Sequence, residues 1–120
     1  MKRIIFNLKR EWYDKIASGE KTVEYRSLVS KNGKRSKWCA IFGMDSDRFY
    51  HEGDGFFADE SVKASGLAPT DWFAVFRLGY SRKYPDIVRR ITKIDIGPCP
   101  YPGWDGEYFR IHFSKEGGAK

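Results

Sequence analysis

The 120-residue chain contains only two cysteines, Cys39 and Cys99, and only two histidines, His51 and His112. Two cysteines are too few for a disulfide framework, and no CxxC or HxxxH spacing occurs. We therefore expect reduced thiols, no metal and no cofactor. No stretch approaches the roughly 20 apolar residues of a membrane span, and the apolar run at the amino terminus is too short for a signal peptide. The expected location is cytoplasmic, away from membranes.

Acidic residues are scarce outside one short stretch. Residues 45–60 have a net charge of −5, whereas residues 1–44 have +7 and residues 61–120 have +4, for a formal total of +6. A basic surface on a small domain predicts a polyanionic partner, with nucleic acid as the first candidate. The alternative is the modest lysine excess that many small proteins carry for solubility.

The composition, 41% hydrophobic and 17% aromatic, predicts a folded chain with one core. We interpret residues 1–120 as a single domain with an acidic insertion at about 45–70. One early helix is followed mostly by strands, which predicts an α+β, mainly β fold, a small barrel or half-barrel. The predicted strands are Lys2–Leu8, residues 21–26, 71–78 and 87–96, and Glu107–Phe113, with a hairpin expected around residues 53–55.

The stretch SGEKTVEYR, residues 18–26, holds a cation, an acid and a second cation within six positions. A helix is predicted over residues 10–18, with Gly19 as its left-handed stop. The following strand KTVEYR alternates, so Glu24 and Arg26 share one face and Lys21 stands at the strand start. Lysine and arginine together suit a phosphate or a carboxylate. The plainer alternative is a surface ion pair between Glu24 and Arg26.

The turn GYSRKYP, residues 79–85, places tyrosines beside cations. Such a mixture suits base stacking and phosphate contact on single strands, but a basic turn that closes one end of the fold explains it equally well. Three aromatic residues in or next to loops are further candidates for exposed stacking: Trp38, Tyr101 and Trp104. Ser81 has no neighbouring histidine in the sequence, so a serine–histidine triad is not expected.

Gly19-x-Lys21-x-x-Glu24-x-Arg26 after a short helix resembles the GxKxxExR signature of the ASCH family. FRLGYSRKYP is similar to that family's turn after a central strand, and PGWDGEYFRIHF is similar to its final strands. The resemblance implies a small PUA-like β-barrel with a helix next to a cleft, and an RNA or nucleotide-like ligand. The resemblance implies a cleft lined by Lys21, Glu24 and Arg26. The further candidate ligand-binding residues come from the strand end and the turn after it: Arg77, Tyr80, Ser81 and Arg82.

Some relatives in that family are enzymes, so a small hydrolase is the alternative function. One subgroup acts on N4-acetylcytidine with the motif lysine and a threonine three residues later; here Glu24 stands in that place, which weakens this alternative. If the chain is an enzyme, Lys21 and Glu24 are the expected catalytic residues. Other relatives are described as ribonucleases, and Lys21, Tyr80 and Ser81 are the set available here for such a reaction. A third possibility is an interaction module whose acidic residues 45–60 bind a basic partner.

Overall fold

The computed structural model describes residues 2–30, 34–43, 48–63, 71–79 and 83–115. Its elements follow the chain in the order β1 (Lys2–Leu8), α1 (Arg10–Ala17), β2 (Val23–Ser27), α2 (Lys37–Ile41), β3 (Phe49–Glu52), β4 (Gly55–Ala58), α3 (Glu60–Lys63), β5 (Trp72–Leu78), β6 (Ile87–Pro98) and β7 (Glu107–Phe113). The predicted α+β, mainly β class is confirmed. Within the described residues, no helix has the length and apolar character needed to cross a membrane.

Hydrogen bonding orders five strands as β1-β5-β6-β7-β2, and a second sheet contains β3 and β4. β1 and β5 are parallel in the register Lys2↔Trp72 to Leu8↔Leu78, whereas β5 and β6 are antiparallel, with Phe73 opposite Arg90. The chain contacts divide into two compact units. The first unit is Met1–Val23, Pro69–Lys93 and His112–Lys120, and the second is Glu24–Ala68 and Ile94–Ile111. The assignment of one domain over residues 1–120 stays a prediction.

The core of the first unit comes from strands whose apolar residues face inward. Ile4, Phe6 and Leu8 alternate with exposed neighbours along β1, as period-two patterning requires. β5 is buried on both faces from Phe73 to Phe76, as expected for an interior strand whose residues are apolar in succession. The Phe76 ring lies 5.5 Å from Phe6 and 4.7 Å from Phe113, measured between ring centroids.

Helix α1 ends where the sequence predicts. Gly19 has a φ of +83°, the left-handed conformation in which a residue without Cβ is unstrained. Its amide donates to the carbonyl of Ile16 at 3.1 Å. Tyr13 and Ile16 are the buried residues of this helix.

The described part of the acidic insertion, residues 48–63, contains the predicted hairpin. β3 and β4 pair from Phe49↔Ala58 to Glu52↔Gly55, with Gly53 in the turn at a φ of +62°. The hairpin and α3 are joined to the start of β7 by the Glu107 carboxylate. Its Oε1 accepts from the Ala58 amide at 3.1 Å, and its Oε2 lies 2.5 Å from Lys63 Nζ.

The backbones of the hairpin and of the segment before β7 meet at two glycines. Gly106 forms a bridge with Phe56. A Cβ added to Gly106 would meet the Phe56 amide nitrogen and would lie 2.8 Å from its carbonyl oxygen. A Cβ added to Gly55 would lie 2.7 Å from the Gly106 Cα. Only residues without side chains permit this approach.

We expect Gly106→Ala to lower the free energy of unfolding by clearly more than Gly103→Ala. Both glycines have positive φ, +87° and +83°, so both alanines incur a backbone penalty of about 1–2 kcal/mol. Only at Gly106 does the methyl group also meet backbone, because nothing lies within 4 Å of a Cβ at Gly103. Urea denaturation of the two variants measures the difference. Equal losses would show that the Phe56 contact is looser than described.

Candidate functional site

Lys21, the first cation of the motif, belongs to the first unit and lies close against helix α1. Its amide donates to the carbonyl of Lys15 at 3.0 Å, and its Nζ lies 4.5 Å from the centroid of the Trp12 ring. Only 8% of its surface is exposed. The prediction that Lys21 begins the strand is wrong, because β2 begins at Val23. The helix end therefore positions Lys21, through backbone bonding and a cation–π contact.

Glu24 and Arg26 lie on β2, in the part of that strand that belongs to the second unit. Arg26 Nη2 is 2.8 Å from Glu24 Oε2, so the ion pair that the sequence suggests does form. It is not a surface pair, however, since Glu24 is only 5% exposed. Glu24 Oε1 also accepts from the amide of Tyr25 at 3.3 Å. A buried carboxylate requires both counter-charge and hydrogen bonds, and these contacts supply them.

The Arg26 guanidinium also lies over an aromatic ring, 5.2 Å from the centroid of Trp38. Lys37 Nζ lies 5.0 Å from the same ring. Trp38 is buried, so the prediction that it is an exposed stacking residue is wrong. It belongs to the short helix α2, whose ring packing continues from Trp38 to Phe42 at 5.9 Å and from Phe42 to Phe109 at 5.0 Å.

The segment after β2 fixes the position of helix α2. The carbonyl of Leu28 accepts from the amide of Ser36 at 3.0 Å and from the thiol of Cys39 at 3.4 Å. The Ser36 hydroxyl donates to the carbonyl of Ser27 at 2.6 Å. These hydrogen bonds hold the start of α2 against the end of β2, and so they help to place Trp38 beside Arg26. Sequence reasoning missed this role because a helix of five residues has little periodicity to detect.

The second predicted group of ligand residues begins at Arg77, on β5 of the first unit. Arg77 forms a bidentate pair with Asp86, at 3.1 Å from Nε and 2.9 Å from Nη2, and the hydrogen bond to Asp86 raises the Arg77 pKa. Tyr80, Ser81 and Arg82 lie outside the described residues, and their ligand role stays a prediction.

The described residues on either side of positions 80–82 contact β1 and α1. The amide of Gly79 donates to the carbonyl of Leu8 at 2.9 Å. The carbonyl of Pro85 accepts from the Tyr13 hydroxyl at 2.5 Å. The Arg10 guanidinium lies 4.4 Å from the Tyr84 ring. Tyr84 therefore packs on the helix.

The basic residues of β6 are not uniformly solvated. Arg90 is exposed, with its guanidinium 5.8 Å from the Phe73 ring. Arg89 is half-buried; its Nη1 donates to the carbonyl of Val88 at 3.1 Å, while its buried Nε has no hydrogen-bond partner among the described residues. The sequence alone, two adjacent arginines in a β-branched run, does not indicate that Arg89 and Arg90 differ in burial.

Burial affects two potentially nucleophilic side chains, Tyr25 in the motif and Cys39 on helix α2. Burial raises the pKa of the Tyr25 phenol and of the Cys39 thiol. A thiol with a raised pKa has less of the reactive thiolate at any given pH. In addition, no three side chains of metal-binding type lie together in the described ranges.

Comparison of the chain with family models, with curated proteins and with solved structures finds no match. The resemblance of residues 19–26 to the ASCH signature therefore stays a prediction.

A double-mutant cycle on Glu24 and Arg26 should give a coupling energy of about 1–3 kcal/mol, because the carboxylate is buried and the guanidinium partly buried. The matched control is Arg10–Asp14, whose side chains are each 57% exposed and whose coupling should stay below about 0.5 kcal/mol. Urea denaturation of the single and double alanine variants provides the numbers. Similar couplings in the two cycles would contradict the burial of Glu24.

Cys99 should react with a thiol reagent before Cys39 in the folded protein. Cys99 is half-buried, whereas Cys39 is 3% exposed and its pKa is raised by burial. Labelling at mildly alkaline pH, followed by peptide mass spectrometry, distinguishes the two thiols. In denaturant both should react at similar rates; preferential labelling of Cys39 in the folded protein would argue against the packing of α2.

Proposed function

We propose that this protein binds single-stranded RNA or a nucleotide-like ligand as an ASCH domain, with Lys21, Glu24 and Arg26 as the principal contact residues. The proposal rests on the GxKxxExR pattern and on the environment of those three side chains. Lys21 and Arg26 would contact a phosphate or a base carbonyl. Glu24 would orient Arg26 or accept from an exocyclic amino group.

The burial of two charged residues carries the proposal. Among the described residues, Lys21 and Glu24 are the buried polar or charged side chains, and both belong to the motif. Removing a charge from water costs several kcal/mol in an unpaired environment. A chain under selection for stability alone has better choices at such positions, whereas a recognition site benefits from preorganised charges.

Aromatic contacts hold both motif cations. Lys21 lies over Trp12 and Arg26 over Trp38, so each cation has a defined position before any ligand arrives. A long cationic side chain normally loses up to about 2 kcal/mol of rotamer entropy on becoming fixed. Prior placement against a ring reduces that loss at the moment of binding.

The charge distribution favours an anionic ligand. The first unit has 14 Lys/Arg against 6 Asp/Glu, a net charge of +8, and the second unit has 8 against 10, a net charge of −2. The basic residues of the segment 31–37, which are Lys31, Lys34, Arg35 and Lys37, would add electrostatic steering. Tyr80 and Arg82 would contribute stacking and phosphate contact. The hydrolase alternative stays a prediction that no particular contact favours.

The direct test is fluorescence anisotropy with a labelled single-stranded RNA across a salt series. Affinity should fall several-fold between low and physiological salt, since phosphate contacts release counterions. Recovery of intact RNA by mass spectrometry afterwards separates binding from cleavage. Lack of affinity even at low salt would exclude RNA as the ligand, and a parallel titration with mononucleotides would then test the nucleotide-like ligand.

Lys21→Met should weaken RNA binding and reduce the slope of log affinity against log salt by about 0.7 for one lost phosphate contact on a single strand. Methionine keeps an unbranched side chain against Trp12, so the variant should still fold, which circular dichroism would verify. Lys115→Ala removes an exposed lysine of the same unit and serves as the control for net charge. If both variants lose affinity equally, binding is nonspecific and the motif is not the site.

A further inference from the structure

Four aromatic side chains of the second unit form a continuous row, and its third member is exposed to solvent. Tyr25 lies 5.5 Å from Tyr101, Tyr101 lies 6.0 Å from Trp104, and Trp104 lies 5.3 Å from Tyr108, measured between ring centroids. We call these residues the aromatic row. Trp104 is 41% exposed, one of three large hydrophobic residues in the described ranges that are exposed to this degree. Exposed tryptophan is a common anchor in binding surfaces.

The loop that contains Trp104 is tied to regular structure at several points. The amide of Trp104 donates to the carbonyl of Tyr101 at 3.2 Å, and the Tyr108 hydroxyl donates to the carbonyl of Asp105 at 2.8 Å. Gly106 packs against the backbone of Phe56. The exposed ring is thus presented by a fixed segment and would lose little entropy on binding.

Carboxylate residues stand next to Trp104 in the sequence and on the hairpin turn beside Gly106. Asp105 is exposed and follows Trp104 directly. The turn of the hairpin, with exposed Glu52 and Asp54, lies next to this position because Gly55 packs against Gly106. The one cation on β7, Arg110, is engaged with Asp95 in a bidentate pair at 2.7 and 3.1 Å.

An aromatic surface with acidic neighbours favours a cationic ligand over a nucleic acid. Single-strand stacking sites combine aromatic rings with a positively charged groove, whereas Asp105 follows Trp104 and Asp54 precedes Gly55, the glycine that packs against Gly106. A guanidinium stacks on tryptophan and forms bidentate bonds to carboxylates at the same time. We propose that the aromatic row and the adjacent carboxylates Asp54 and Asp105 bind an arginine-containing basic peptide segment. Tyr25, at one end of the row, stands between Glu24 and Arg26 on β2, where successive side chains of a strand point to opposite faces. The proposal does not depend on RNA binding.

The experiment uses labelled peptides in which arginine, lysine or glutamine alternates with glycine, and measures their anisotropy with the intact protein. We expect the arginine peptide to bind best, the lysine peptide more weakly and the glutamine peptide not at all. Higher salt should weaken binding without changing this order, because the stacking contribution is screened less than the charge contribution. Equal affinity for the arginine and lysine peptides would overturn the assignment of a stacked guanidinium.

Variants locate the binding surface. Trp104→Leu should lower the affinity for the arginine peptide by about threefold to tenfold, which is the range for a cation–π contact at a partly exposed site. Adding Asp105→Asn to Trp104→Leu should lower this affinity further. Matched controls in the first unit are Ile5→Thr, which changes a hydrophobic residue of similar exposure, and Glu11→Gln, which removes an exposed carboxylate. Both controls should bind normally.

Two results would overturn the proposal. Unchanged peptide affinity in Trp104→Leu and Asp105→Asn would place the basic peptide elsewhere. A loss of RNA affinity in Trp104→Leu, with peptide affinity retained, would make the row a base-stacking surface. Failure of RNA binding in the wild-type protein would leave the peptide result intact, so the two proposals are tested independently.

Discussion

A carboxylate removed from water is the constraint around which much of the second unit is arranged. Glu24 is stable in its buried position only if a cation and hydrogen-bond donors accompany it, and Arg26 at 2.8 Å meets the first requirement. Arg26 in turn lies over Trp38, so helix α2 must hold the Trp38 ring in place. That helix is too short to be stable alone and depends on the Leu28 carbonyl and on its aromatic contacts. The burial of Glu24 is thus linked, through Arg26 and Trp38, to the position of the five-residue helix α2.

Lys21 and Arg26, the two motif cations, both make a cation–π contact, although they belong to different units. Each lies against a tryptophan ring rather than in open solvent. At Trp104 the ring is exposed and a carboxylate residue, Asp105, follows it. That combination suits a cationic ligand. Aromatic rings are neutral partners, and the formal charges beside them decide which ligands they favour. The charged residues next to each ring are therefore more informative about ligands than the total charge of +6.

Local patterns in the sequence predicted much of the fold, because β1, β5, β7 and helix α1 carry their signals within single segments. Alternation along Lys2–Leu8 and the glycine at position 19 are examples. The environment of the candidate site was less predictable. Alternating charges on β2 are typical of a solvated face, and only tertiary packing buries Glu24. The contact of Lys21 with Trp12 depends on how the chain leaves the helix, and Trp38 is buried by a helix too short to show periodicity. Sequence identified the motif residues, but their burial required three-dimensional contacts.

The attachment of the hairpin through Glu107 has a consequence for the order of folding. β3 and β4 are joined by a two-residue turn, and such hairpins form within about 1–10 μs. The bond from the Ala58 amide to Glu107, in contrast, joins residues 49 positions apart, and such distant contacts form only after a large loss of chain entropy. We therefore expect the hairpin to form early and to dock late. In the mature protein, opening at Glu107 would release a preformed hairpin as a unit, so its amides should exchange with solvent as one cooperative group.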